Sequence, residues 1–133
     1  MEHNEVVERV MNWLKEKHPP PREVYEGSKV EIIIGTFKRL NDKFCSTIHL
    51  LVECKKTNDF ADQAIGQCLR YYTDFKGLCT YIAVPDDFHQ LEDLKNIIEF
   101  VELPLGIISV HYDGTIEIIR KAEGHERLEI RKL

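Results

Sequence analysis

No apolar run in the sequence approaches the roughly 18 residues that a membrane-spanning helix requires, and the opening Met1-Glu-His-Asn-Glu carries acids where a secretory signal carries basic and apolar segments. A soluble, cytoplasmic protein with no membrane partner is therefore expected. Glycine and proline are sparse, at 7 and 5 residues, and hydrophobic residues make up 43%, which excludes a disordered or fibrous chain. Gly35, Gly66, Gly77 and Gly106 are isolated, so neither a phosphate-cradling loop nor a nucleotide cofactor is indicated. The four cysteines, Cys45, Cys54, Cys68 and Cys79, are spaced by 9, 14 and 11 residues without a C-x2-C pair. Their apolar settings point to buried free thiols instead of a zinc site. Positive charge is in deficit: 18 Lys plus Arg against 23 acids give a formal charge of −5, which argues against a protein devoted to coating nucleic acid. The balance is regional, with five Lys or Arg against two acids over 38–56 and six acids against Lys95 over 86–102. At 133 residues the chain is one domain, 1–133, with a single core; it is too short for a Rossmann dehydrogenase, a barrel or a large solenoid.

What is present is a series of periodic segments. Val6, Val10, Trp13 and Leu14 recur at helical spacing over Asn4 to Lys17, ended by Pro19-Pro20-Pro21. This places the single tryptophan in the core stripe. A short extended stretch covers Arg22 to Glu26. Lys29 to Leu40 and Lys43 to Lys55 are rich in Val, Ile, Phe and Thr and flank Asn41-Asp42, the pattern of two antiparallel strands joined by a tight turn. A helix is predicted over Asp59 to Phe75, a short strand over Cys79 to Val84, and a helix over Phe88 to Ile98. Leu105 to Tyr112 and Thr115 to Lys121 flank Asp113-Gly114, the strongest hairpin signal in the chain. The order α, β, β, α, β, α, β, β implies an α/β fold, a mixed sheet flanked by helices with a C-terminal β-hairpin.

The segment richest in chemistry is His49-Leu-Leu-Val-Glu-Cys-Lys-Lys56. Side chains alternate along a strand, so Glu53 and Lys55 emerge on one face and Val52 and Cys54 on the other. A charged pair at a strand end is explained by simple solvation of the edge. It also suits a site in which the carboxylate holds a divalent cation while the ammonium stabilises phosphate charge or positions water.

Glu53-Cys54-Lys55, after a hairpin and before a helix, resembles the Glu-x-Lys half-motif of the PD-(D/E)XK nuclease superfamily. Gln67-Cys-Leu-Arg-Tyr71 on the following helix matches the Gln-x-x-x-Tyr arrangement, and Thr80-Tyr-Ile-Ala-Val-Pro85 follows as the family pattern expects. Over residues 5 to 85 the chain is similar to the nuclease-like N-terminal regions of type I restriction motor subunits. The resemblance implies a restriction-endonuclease-like core and a Mg2+- or Mn2+-dependent DNA endonuclease. In that reading Glu31 and Glu53 are the metal ligands, Lys55 orients or activates the attacking water, and Gln67 lies near the active face. It also implies DNA as partner, and a homodimer or a larger nucleic-acid-processing complex.

The family usually has aspartate, often after proline, where this chain offers Ser28-Lys-Val-Glu31. Glu31 is the only carboxylate in the first hairpin strand; its longer side chain either reaches the metal or remains a peripheral charge. Glu5 and Glu8 lie off the apolar stripe of the first helix, as solvated acids do. Gln67 borders the apolar stripe of its helix, where surface solvation is the alternative, and for Tyr71 the alternative is core packing with a satisfied hydroxyl. Lys56 either contacts phosphate or covers an edge. His49 sits two alternations before Glu53, and His111 just before the Asp113-Gly114 turn, where solvation suffices. The altered first acid and the net negative charge keep a second function in view: a catalytically degenerate nuclease-fold protein that binds nucleic acid or a protein partner. An interaction domain pairing through its hairpin is a third.

Overall fold

A computed structural model describes the backbone of residues 1–28, 30–40, 43–125 and 127–132, and their side chains outside 37–46 and 127–132. The first helix, α1 (His3–Lys17), buries Val6, Val7, Val10 and Leu14, whereas Trp13, expected in the same stripe, is only partly buried at its margin with Lys17 Nζ 5.0 Å from its ring centroid. The strands β1 (Arg22–Glu26), β2 (Ile32–Leu40) and β3 (Lys43–Cys54) follow, then α2 (Ala61–Asp74), β4 (Thr80–Pro85), α3 (Leu91–Phe100), β5 (Gly106–Val110), β6 (Ile116–Arg120) and β7 (Arg127–Lys132). The Asn41-Asp42 turn, the strand start at Lys29 and the Cys45 thiol lie outside the described residues.

Local chemistry explains the boundaries. The first amide of α2 is capped from a distance, Ala61 N–H donating to Gln90 Oε1 at 2.7 Å. The helix ends where Lys76 and Gly77 take positive φ, 54° and 88°, a conformation that glycine adopts without steric cost. In the β5–β6 hairpin Gly114 has φ 96°, and Asp113 Oδ1 accepts from the Thr115 N–H and hydroxyl at 2.9 and 2.7 Å.

Six strands lie in the order β1-β2-β3-β4-β5-β6, forming a mixed sheet. The pairs β1–β2, β2–β3 and β5–β6 are antiparallel, while β3–β4 and β4–β5 are parallel. The two parallel crossovers run through α2 and α3. Both helices lie on the same face, as crossovers of one hand require when the sheet grows in one direction. The opposite face is covered by α1, which packs on Ile32, Ile34, Val52, Cys54, Ala83 and Ile108. Residues from α2 and α3, among them Ala64, Cys68, Leu94 and Ile98, pack on Ile82, Val84 and Ile107 of the other face. Among the described residues no helix is long and apolar enough to cross a membrane.

Two elements depart from the order expected above. The extended stretch Arg22–Glu26 is a full edge strand, paired from Arg22↔Thr36 to Glu26↔Ile32. The hairpin is also not the terminal element, because β7 follows it and pairs antiparallel with residues 43–48 of β3. At 12 residues β3 is longer than its neighbour β4, which covers only residues 51–54 on that edge, and β7 pairs with 43–48. The alternating Leu128-Glu129-Ile130-Arg131 was the available strand signal.

Candidate functional site

Antiparallel register brings the two acids together. Ile32 pairs with Val52 in the β2–β3 ladder, so one step further Glu31 stands opposite Glu53. Glu31 therefore lies immediately before β2, not within it, and retains 22% side-chain exposure. Residues opposed in this way hold their Cβ atoms about 5 Å apart, close enough for two carboxyl groups to meet, and like charges so placed repel. Burial and then the neighbouring Glu31 push the Glu53 carboxyl from its ordinary 4.5 up to about 7.

Glu53 is only 4% exposed. Its partners come from three directions. Tyr71 of α2 donates its hydroxyl to Glu53 Oε2 at 3.0 Å, and Lys55 Nζ lies 3.9 Å from Oε1. Burial, followed by the Glu53 charge, raises the Tyr71 phenol well above its usual value, so it remains a donor. Lys55 is placed by the sheet, because its amide donates to Ala83 O at 2.9 Å and extends the β3–β4 ladder one residue past Cys54. Its side chain is 12% exposed, a confined ammonium beside a confined carboxyl.

The fifth member is His3, the first residue of α1. Its Nε2 sits 2.8 and 2.7 Å from the two oxygens of Glu31. Burial pulls the imidazole down, and the Glu31 hydrogen bond and charge more than reverse this, leaving it raised. Nothing local in the sequence marks His3, because its contact with Glu31 spans 28 residues and depends on how α1 crosses the sheet.

The structure thus brings Glu31, Glu53 and Lys55 together on the α2 face of the sheet, at the C-terminal end of β3. In open α/β sheets this strand end is where ligand crevices form. Gln67 is exposed on α2, in the groove that also contains Tyr71. Lys56 is exposed, its amide donating to Asp59 Oδ2 at 2.9 Å. Glu8 is solvent-exposed, and Glu5, also exposed, pairs with Arg9 at 2.9 Å. Alternation does not carry His49 to Glu53: Ile34 pairs with Leu50 and Gly35 with Ile48, so His49 is the extra residue of a bulge and meets Thr36 Oγ1 at 2.7 Å. Instead of standing free, His111 bridges Asp86 at 3.0 Å and Glu117 at 2.9 Å.

Among the described residues no group of three or more His, Cys, Asp or Glu side chains is arranged to hold a metal ion. Two opposed carboxyls are nevertheless a donor set of the kind magnesium uses, since it is commonly held by one or two carboxylates with water and substrate phosphate completing its shell. In class the molecule is an α/β protein with a mixed open sheet and an acid–acid–lysine cluster at a strand end, of which Glu53 is buried and Glu31 and Lys55 are partly so. No family profile, curated protein or solved structure matches the chain.

Proposed function

We propose that the chain is a divalent-metal-dependent deoxyribonuclease with a restriction-endonuclease-like core, as its resemblance to the PD-(D/E)XK superfamily implies. The observation that carries this reading is the convergence of Glu31, Glu53 and Lys55 on one face, across a strand pair and beside Tyr71. Glu31 and Glu53 would hold Mg2+ or Mn2+. The bound cation would supply Lewis-acid neutralisation of the charge on the scissile phosphate. As an ammonium Lys55 has no lone pair with which to accept a proton; it acts as a fixed donor that orients water or meets charge developing on a phosphoryl oxygen. Tyr71 holds Glu53 in place. In the overall reaction water adds to phosphorus while the opposite P–O bond breaks, giving a phosphate monoester and a free hydroxyl. DNA as partner, and a homodimer presenting two sites, belong to the same proposal.

A second reading, a degenerate nuclease-fold protein that binds nucleic acid or a protein partner, draws on one observation. His3 engages both oxygens of Glu31 while Tyr71 and Lys55 engage Glu53, so the carboxyls are satisfied by the chain itself. The two readings separate in a cleavage assay on linear, nicked, flapped and branched DNA with Mg2+ or Mn2+. Glu53→Ala and Lys55→Ala should each reduce wild-type cleavage by about 100-fold or more with unchanged circular dichroism. Equal cleavage by all three proteins, or none by wild type, would count against the nuclease.

A further inference from the structure

Gly66 stands in the middle of α2, where glycine is destabilising relative to alanine. No packing requires it, because a Cβ added there meets nothing within 4 Å. Its bare backbone borders a groove of about 960 Å³ that runs between α2 and Val30 and reaches Tyr71, the residue hydrogen-bonded to Glu53. The lining combines two chemistries. Tyr71 and Phe75 offer aromatic surface, while Gln63, Gln67 and Arg70 offer donors. No carboxylate pairs with Arg70 among the described residues, and Asp74, the acid nearest it in the groove, is already engaged by another group.

Aromatic surface beside a cation and amide donors is the combination that seats unpaired nucleotides, whose base faces stack while their phosphates meet positive charge. A duplex keeps those faces stacked inside and presents only base edges and backbone. The groove volume is in the range that takes a nucleotide-sized ligand and does not admit a double helix. We propose that this groove seats an unpaired DNA strand, with Tyr71 and Phe75 against bases, Arg70 on a phosphate, and Gly66 left bare to clear the path. Single-stranded segments would then be what reaches the Glu31–Glu53–Lys55 cluster; this last step rests on the nuclease reading, whereas strand binding does not.

The test uses the full chain with metal withheld, so that binding is measured without cleavage. Fluorescence anisotropy compares a labelled oligo-dT of about 12 nucleotides, within the span of known single-strand sites, with a blunt duplex and an oligo-U of equal length. Wild type should bind oligo-dT on the order of tenfold more tightly than duplex, and Gly66→Leu and Arg70→Gln should each weaken it on the order of tenfold. Arg70→Gln should also reduce the salt slope by about 0.7, the contribution of one single-strand phosphate. Gly66→Ala, whose single methyl intrudes least, should weaken binding less than Gly66→Leu does, and both Gly66 variants should melt no lower than wild type, since either residue is a better helix former. Preference for duplex, equal or tighter binding of oligo-U, or wild-type affinity in Gly66→Leu or Arg70→Gln would overturn the proposal. Strand binding of the expected pattern without cleavage in Mg2+ would uphold the groove and overturn the nuclease. Single-strand cleavage by Gly66→Leu at the wild-type rate would overturn the groove alone.

Discussion

Glu53 sets a pH dependence that can be measured without any substrate. Its folded-state value, raised from 4.5 to about 7 by burial and then by Glu31, means that the folded chain holds this proton more tightly than the unfolded chain does. The stabilisation is fully present below about pH 4.5 and is lost as pH rises to about 7, because over that window the unfolded chain releases a proton that the folded one retains. The loss should be on the order of 3 kcal/mol, the free energy that a shift of this size carries. His3 acts in the same direction, its raised value stabilising the fold below its ordinary 6.5 and ceasing to do so as pH rises through the folded value. Urea midpoints measured with a chelator present should therefore fall across this range in wild type. Glu53→Gln, a neutral isostere that still accepts from Tyr71, should flatten the fall and be the more stable protein at pH 8. A lower midpoint for Glu53→Gln at pH 8 would show that the carboxyl pair is not a stability cost.

At the scale of elements, β3 organises the molecule. One edge pairs with β2 along its length, and the other is divided between β7 on residues 43–48 and β4 on 51–54. The bulge at His49 resets the alternation between these halves, which is why Ile48 and Leu51, three residues apart, share one cluster with Val30, Leu78 and the partly buried Tyr71. The α2–α3 layer is held by a second, fully apolar cluster in which Leu94 and Ile98 are completely buried against Ile82, Ile107 and Leu105. Leu94→Ala should cost about 2–5 kcal/mol in urea unfolding, the transfer of a buried side chain plus the cavity it leaves. Since Leu94 belongs to α3 and not to the carboxyl cluster, any cleavage of the proposed kind should stay near wild type per folded molecule. A cost below about 1 kcal/mol would mean that α3 is loosely docked.

The whole molecule must open before its deepest thiols react. Cys54 and Cys68 are fully buried free cysteines on opposite faces of the sheet, and burial raises both thiols above their usual range. Cys79 is half-buried and free. A thiol reagent at pH 8 should therefore modify Cys54 and Cys68 only as fast as the protein unfolds, whereas Cys79 reacts earlier. Under denaturing, non-reducing conditions all four cysteines of the sequence should titrate. A disulfide or stoichiometric zinc in that experiment would contradict the assignment.

Periodicity and turn chemistry are properties of one segment, and for that reason the sequence alone determined the α1 stripe, the α2 and β4 segments, the Asp113-Gly114 hairpin and the shared face of Glu53 and Lys55. Even there the ends shifted, because the first amide of α2 finds its cap on Gln90, 29 residues away. Contacts between segments depend on register and on crossover direction, which no local pattern encodes. Only the tertiary structure decided that Glu31 opposes Glu53, that His3 reaches around from α1, that Tyr71 is both packed and bonded to the site, and that β7 returns to β3. The physical reason is that a strand specifies which of its side chains share a face, while the identity of its neighbour is selected by the burial and backbone pairing of the assembled sheet.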